Sequence, residues 1–310
     1  MVVLAVNARA TLLVNACRGF TDTIPKEIED ATINSINKLP PRTSVWPCPD
    51  LSAAKSSTYD SSPWVKSLNG DWDFYWSPDP GKRPMDFYKP DFDIKAWKLI
   101  KVPSTWERQG YGVPVYIDSK FPFKVDPPRV MGEPPKSYTS FNKRNPVGSY
   151  RHKFFVSEQW NGKRILVHFA GVSSAIYVWI NGQFAGFSQD SRLPAEFDIT
   201  EFLKKGENLI AAEVYKYSDG SYLEDQDFWR LSGIFRDVFL CAVPATGIWD
   251  IYAHPDVDLK TQKGSIALHY SSNNSFGSIK KGFSVTVQVI APDGSKAANV
   301  QVLKLDPFSS

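Results

Sequence analysis

A chain of 310 residues, 42% of them apolar and 14% aromatic, has material for a sizeable core and for two domains of roughly 100 to 200 residues each. Net charge is +3 with both signs mixed, and basic residues never run beyond pairs such as Lys204-Lys205, which argues against nucleic acid as a partner. No apolar stretch approaches the roughly 20 residues of a membrane span, and the three widely spaced cysteines Cys17, Cys48 and Cys241 imply neither a disulfide framework nor a metal-ligand spacing.

Residues 1–60 are expected to form an irregular N-terminal arm, because Pro40-Pro41, Pro47 and Pro49 forbid regular structure. The first apolar runs lack a basic segment before them and are interrupted by Asn7 and Arg9, so a secretory signal is not expected and the cytoplasm is. Asn69-Gly70 signals a turn, and the alternation of Trp72, Phe74 and Trp76 predicts a strand with one aromatic face. A second strand is predicted over 97–102, ended by Pro103. From Gly110 to Pro135 the density of Pro and Gly predicts a surface loop anchored by Tyr116, Phe121 and Phe123, the kind of segment that carries binding residues. Strands are then predicted over 149–156, 164–169, 175–180, 183–187, 207–217 and 234–243, with Asn181-Gly182 as a hairpin turn. Short strands at roughly ten-residue spacing argue a two-sheet sandwich, and any single Trp of the ten is expected in its core. After Pro244 the strands are leaner, at 248–253, 265–270, 283–290 and 300–305, with a turn at Pro292-Asp293-Gly294. They are similar to the opening of an immunoglobulin-like sandwich, with about four strands where roughly seven are expected.

The stretch that carries chemistry runs from Glu213 to Val238. It begins as a strand, turns at Asp219-Gly220, and sets Glu224, Asp225 and Asp227 beside Phe228 and Trp229. Carboxylates are costly to bury unless paired, hydrogen-bonded or metal-bound, so Arg230 and Arg236 are expected to pair with Glu224 and Asp225, leaving Asp227 to face a cation or a sugar. Residues three apart on one loop would struggle to flank a glycosidic bond from opposite faces, so Glu224 and Asp227 are not assigned as an acid and nucleophile. His152, His168, His254 and His269 are scattered over strands and are expected to be partly buried there.

The run SDGSYLEDQDFWRLSGIFRDV (218–238) resembles the signature of the β-galactosidases of glycoside hydrolase family 2. FAGFSQDSRLPAEFDIT (184–200) and VPSTWERQGYG (102–112) resemble the same proteins in the same order, over about Asn37 to Pro244. The resemblance implies an all-β chain: a jelly-roll-like sugar-binding β-sandwich over 61–244, followed by a partial, truncated immunoglobulin-like β-sandwich over 245–310. It implies the N-terminal part of a retaining hydrolase of terminal β-galactosides, whose two catalytic glutamates lie on a barrel absent from this chain, and it admits a homo-oligomer. By the same resemblance Asp227 contacts galactose and Na+. Asp118 stands where the family's sugar-contacting asparagine stands, which keeps an acceptor but loses a donor. Gln189 and Asp219 match ligands of a structural Mg2+, with Glu27, Asp30 and Ile33 at the partner positions. The alternative is a non-catalytic carbohydrate-binding or scaffold protein built on the same sandwich. A family relative acting on glucuronides or mannosides is disfavoured by the EDQD run.

Overall fold

A computed structural model describes residues 24–304, apart from 44, 56–61, 119, 225–226, 245, 275–283 and 297–300. Cys17, Ser119 and Asp225 lie outside the described residues. The strands in chain order are β1 (Ser35–Ile36), β2 (Val65–Ser67), β3 (Gly70–Ser77), β4 (Lys98–Val102), β5 (Val115–Tyr116), β6 (Val147–Phe155), β7 (Arg164–Phe169), β8 (Val172–Ser173), β9 (Ala175–Ile180) and β10 (Gln183–Ser188). They continue as β11 (Ala195–Asp198), β12 (Glu207–Tyr215), β13 (Trp229–Arg230), β14 (Gly233–Ile234), β15 (Val238–Val243), β16 (Thr246–Asp258), β17 (Lys263–Asn274), β18 (Ser284–Val287) and β19 (Gln301–Lys304). The α-helix among the described residues is the single turn α1 (Leu51–Lys55).

The chain is all-β, and its strands divide between two compact units. The first holds Lys66–Gln159 and Ile165–Cys241 with the described part of Met1–Leu39; the second holds Pro40–Val65, Trp160–Arg164 and Ala242–Ser310. The sandwich is a seven-stranded sheet in the order β1-β10-β9-β12-β6-β3-β4 and a four-stranded sheet in the order β11-β7-β15-β2. In β3, Trp72 and Phe74 face the core while Asp73 and Tyr75 point away, the period of two that a half-buried strand requires. Strand β9, flanked by β10 and β12, is buried at every residue. Its turn into β10 carries positive φ at both Asn181 and Gly182 (52° and 86°), the two left-handed residues that a tight hairpin needs. Trp72, Trp106, Trp160 and Trp179 are buried, as the core reading of tryptophan expects; Trp229 is exposed.

Ahead of the proline-bearing stretch, within residues 24–39, the expected irregular arm contains an edge strand. Ser35 pairs with Ser188 and Ile36 with Phe187, so β1 adds an edge to the large sheet, and Ile28 is buried in a cluster with Tyr177, Trp179 and Phe187. A two-residue strand is too short to leave a periodic trace in the sequence, which is why only the neighbouring breakers were legible.

In the second unit β16 and β17 pair antiparallel from Thr246↔Asn274 to Asp258↔Lys263, with a bulge between Ile248 and Asp250. Strands β18 and β19 pair with each other. Gly294 donates to the Ala291 carbonyl at 2.9 Å, closing the turn predicted at Pro292-Asp293-Gly294. The histidines do not share one environment. His168 is buried against Glu196 and His152 is half-buried, whereas His254 and His269 are exposed on β16 and β17, contrary to the partial burial expected of them.

Candidate functional site

The site is built where β13 pairs with β5. Trp229 lies opposite Tyr116 and Arg230 opposite Val115. Alternation then sorts the side chains: Val115 and Arg230 turn inward, while Tyr116 (49% exposed) and Trp229 (51% exposed) turn outward with ring centroids 5.3 Å apart. Two residues before Trp229, Asp227 adopts φ 60°, a left-handed conformation that Asp tolerates better than most residues. This places its carboxylate beside the paired strand, and the Tyr116 hydroxyl donates to Asp227 Oδ1 at 2.5 Å. The Tyr116 phenol is held above its ordinary pKa first by that hydrogen bond, then by the charge of Asp227, with a smaller contribution from Asp118. The structure thus gathers Asp227, Tyr116 and Asp118 at one exposed edge, walled by Trp229. In the sequence Tyr116 is a loop anchor within the segment that carries Asp118; no local pattern links it to a residue 111 positions away.

Beneath this edge is a buried ion pair that sequence reasoning missed. Glu107 and Lys216 meet at 2.5 Å with side chains 0% and 4% exposed. The Glu107 carboxylate also accepts from Trp106 Nε1 at 2.7 Å and from the Ser232 backbone N–H at 3.0 Å. Lys216 Nζ donates in addition to the Arg230 carbonyl at 3.0 Å. Two fully bonded charges therefore tie the backbone on either side of Leu231 to the frame. Gly233, at φ 122°, lets the chain pass: a Cβ there would lie 3.1 Å from the Ser104 carbonyl oxygen and from the Tyr150 hydroxyl.

Glu224 is held by a hydroxyl and a backbone amide from two other segments. Its carboxylate accepts from Ser174 Oγ at 2.9 Å and from the Ser191 backbone N–H at 3.1 Å. Arg236 donates to the Arg192 carbonyl at 2.9 Å and lies over Phe235. Arg192 in turn stacks over exposed Phe228 at 5.2 Å.

The second set of candidate residues also comes together. Gln189 Nε2 donates to the Ile33 carbonyl at 3.0 Å, and the Gln189 side chain hydrogen-bonds Asp219. Burial lifts the Asp219 carboxyl above its ordinary range, and the nearby charge of Asp30 adds to the rise. Asp219, Asp30 and the Ile33 carbonyl offer oxygen, the donor type a hard cation takes, whereas Gln189 turns its amide nitrogen toward the Ile33 carbonyl and its oxygen toward the Gly220 N–H. Glu27 does not join them: it is buried and accepts from the Tyr177 hydroxyl at 3.3 Å. Among the described residues no group of three or more His, Cys, Asp or Glu is placed to hold a metal ion. Asp227, Asp118 and the Tyr116 phenol likewise offer only oxygen, the donor type a hard monovalent cation takes.

Residues 65–244 match the family model described as "Glycosyl hydrolases family 2, sugar binding domain". A β-galactosidase of Priestia megaterium is 39% identical over 252 residues, which cover 81% of this chain and 24% of that protein. A β-galactosidase of Photobacterium profundum is 43% identical over 203 residues, covering 66% and 19%. The chain thus spans about a quarter or less of the length of these relatives. Among solved structures, a β-glucuronidase from glycoside hydrolase family 2 superposes with a TM-score of 0.58 at 21% identity, covering 79% of this chain and 25% of that one. A β-glycosidase from Bacteroides vulgatus superposes with a TM-score of 0.56 at 22% identity, covering 77% and 29%. At that identity the likeness is one of fold.

Proposed function

Because this chain belongs to glycosyl hydrolase family 2 through its sugar-binding domain, we propose that it is the N-terminal part of a β-galactosidase, a retaining hydrolase of terminal β-D-galactosides. It supplies substrate contacts and not the catalytic carboxylates. The observation that carries this reading is the edge where Tyr116 holds Asp227 beside Asp118 and Trp229. A carboxylate fixed by a phenol presents its second oxygen to a sugar hydroxyl or a cation, and an exposed indole offers a flat apolar face to a pyranose ring. Sequence similarity supports galactosides over glucuronides, since the β-galactosidases named above are the closer in sequence, while the glucuronidase shares the fold.

Asp227 is assigned to Na+ and to the galactose, Asp118 to the sugar. Gln189, Asp219, Asp30 and the Ile33 carbonyl are assigned to Mg2+. A bound Na+ would supply a positive charge that orients sugar hydroxyls. The protein's own contribution is to hold Asp227 at a left-handed turn with its lone pairs outward and to keep the loop in place through Glu107 and Lys216. The test is Asp227→Asn in the complete polypeptide that carries this chain. The expected result is a higher KM for nitrophenyl β-galactoside and loss of the response to sodium. An unchanged KM with an intact sodium response would overturn the assignment.

A further inference from the structure

The antiparallel register of β16 and β17 assembles a pair of imidazoles that no spacing in the sequence announces. Tyr252 lies opposite His269 and His254 opposite Ala267, so His254 and His269 are diagonal neighbours on one face of the ribbon. Their ring centroids are 5.7 Å apart with the planes at 83°. The Tyr252 ring stands against His254 at 3.9 Å, which restrains its rotamer. Both histidines are exposed. The opposite face carries Ile251, Val257, Ile266 and Leu268, so the histidine face is the polar one of the ribbon. Asp256 stands on the histidine face two residues beyond His254 and adds negative charge near an approaching cation.

We propose that His254 and His269 form a surface clamp for a divalent transition-metal ion of the zinc type, with water completing the coordination. Imidazole suits zinc, copper and nickel, in contrast to the oxygen sets described above. Two imidazoles on one tetrahedral zinc, with nitrogens about 2.0–2.1 Å from the metal, place their ring centroids roughly 5 Å apart. The observed 5.7 Å closes to that value by small side-chain rotations. The other described histidines are committed elsewhere: His152 stacks on Trp72 at 4.9 Å, and His168 stacks on Phe239 and bonds Glu196. An ion held from both strands cross-links the hairpin. Because it requires the folded register, it stabilises that register by mass action.

The test is isothermal titration of the untagged chain with zinc chloride, for wild type, His254→Ala and His269→Ala, combined with amide exchange of β16 and β17 with and without zinc. Expected are micromolar binding of one zinc per chain, slowed exchange across the ribbon that a chelator reverses, and weakening in each variant. Changes in groups that only support a ligand cost roughly ten- to a hundredfold in metal affinity, so loss of a ligand should cost at least about tenfold. Absence of zinc binding overturns the proposal. So does either variant binding as tightly as wild type, or zinc leaving the exchange of β16 and β17 unchanged in the wild-type protein.

Discussion

At the scale of residues, Tyr116 and Asp227 define the exposed edge through one hydrogen bond. The Tyr116 phenol titrates above its ordinary value because its proton is shared with Asp227. A group raised in the folded state contributes stability that is present below its unfolded pKa and lost as pH rises through the folded one. The wild type should therefore lose stability relative to Tyr116→Phe as pH climbs past about 10, as compared by denaturant midpoints across that range. Parallel curves would show that the hydrogen bond is absent in solution. Asp227→Asn keeps an acceptor for Tyr116 and a residue type at home at positive φ, so its effect on the stability of this chain should stay within about 0.5 kcal/mol. A larger loss would make Asp227 a structural residue. The EDQD run made Asp227 legible as a candidate. Its partner was not, because a hydrogen bond between a loop and a strand far away in sequence leaves no local pattern.

At the scale of elements, the short strands β5 and β13 hold their place through Glu107 and Lys216. Removing one partner of a buried ion pair leaves an uncompensated charge, at a cost of about 3–5 kcal/mol. Glu107→Gln or Lys216→Met alone should cost about that much, and the double variant should recover a large part of it. Denaturant unfolding of all four proteins gives the coupling directly. Additive losses would mean that the two side chains act independently. The sandwich strands were legible because alternation and turn chemistry agree there: Trp72 and Phe74 mark β3, and Asn181-Gly182 fixes the hairpin of β9 and β10. Strand β1 and the β5–β13 pairing were not, since two residues carry no period and tertiary partners decide their pairing. The buried pair failed for the same reason: Lys216 follows β12 with nothing in its neighbourhood to mark a carboxylate from a distant turn.

At the scale of the whole molecule, the two units differ in how their strands are covered. Strands β6, β9 and β12 lie inside a seven-stranded sheet, and β9 is buried throughout. Along β16 and β17, Tyr252, Val257 and Ile266 are exposed. A two-stranded ribbon with little buried apolar surface is marginal on its own and opens at low free energy. Amide exchange should be fast over 246–274 and slow over β6, β9 and β12. Equal protection would contradict this division. The all-β class was legible from strand spacing, whereas the N-terminal edge strand β1 required the structure.

On the proposed function, the edge formed by Tyr116, Asp227 and Trp229 contacts a β-galactoside. The most direct measurement is a titration of the purified chain with methyl β-D-galactoside in sodium buffer, followed by side-chain NMR signals of Tyr116 and Trp229. Saturable shifts are expected at both residues, lost in Asp227→Ala and weaker with methyl β-D-glucuronide. Unshifted Tyr116 and Trp229 signals, or shifts indifferent to Asp227 and to the sugar, would contradict that contact.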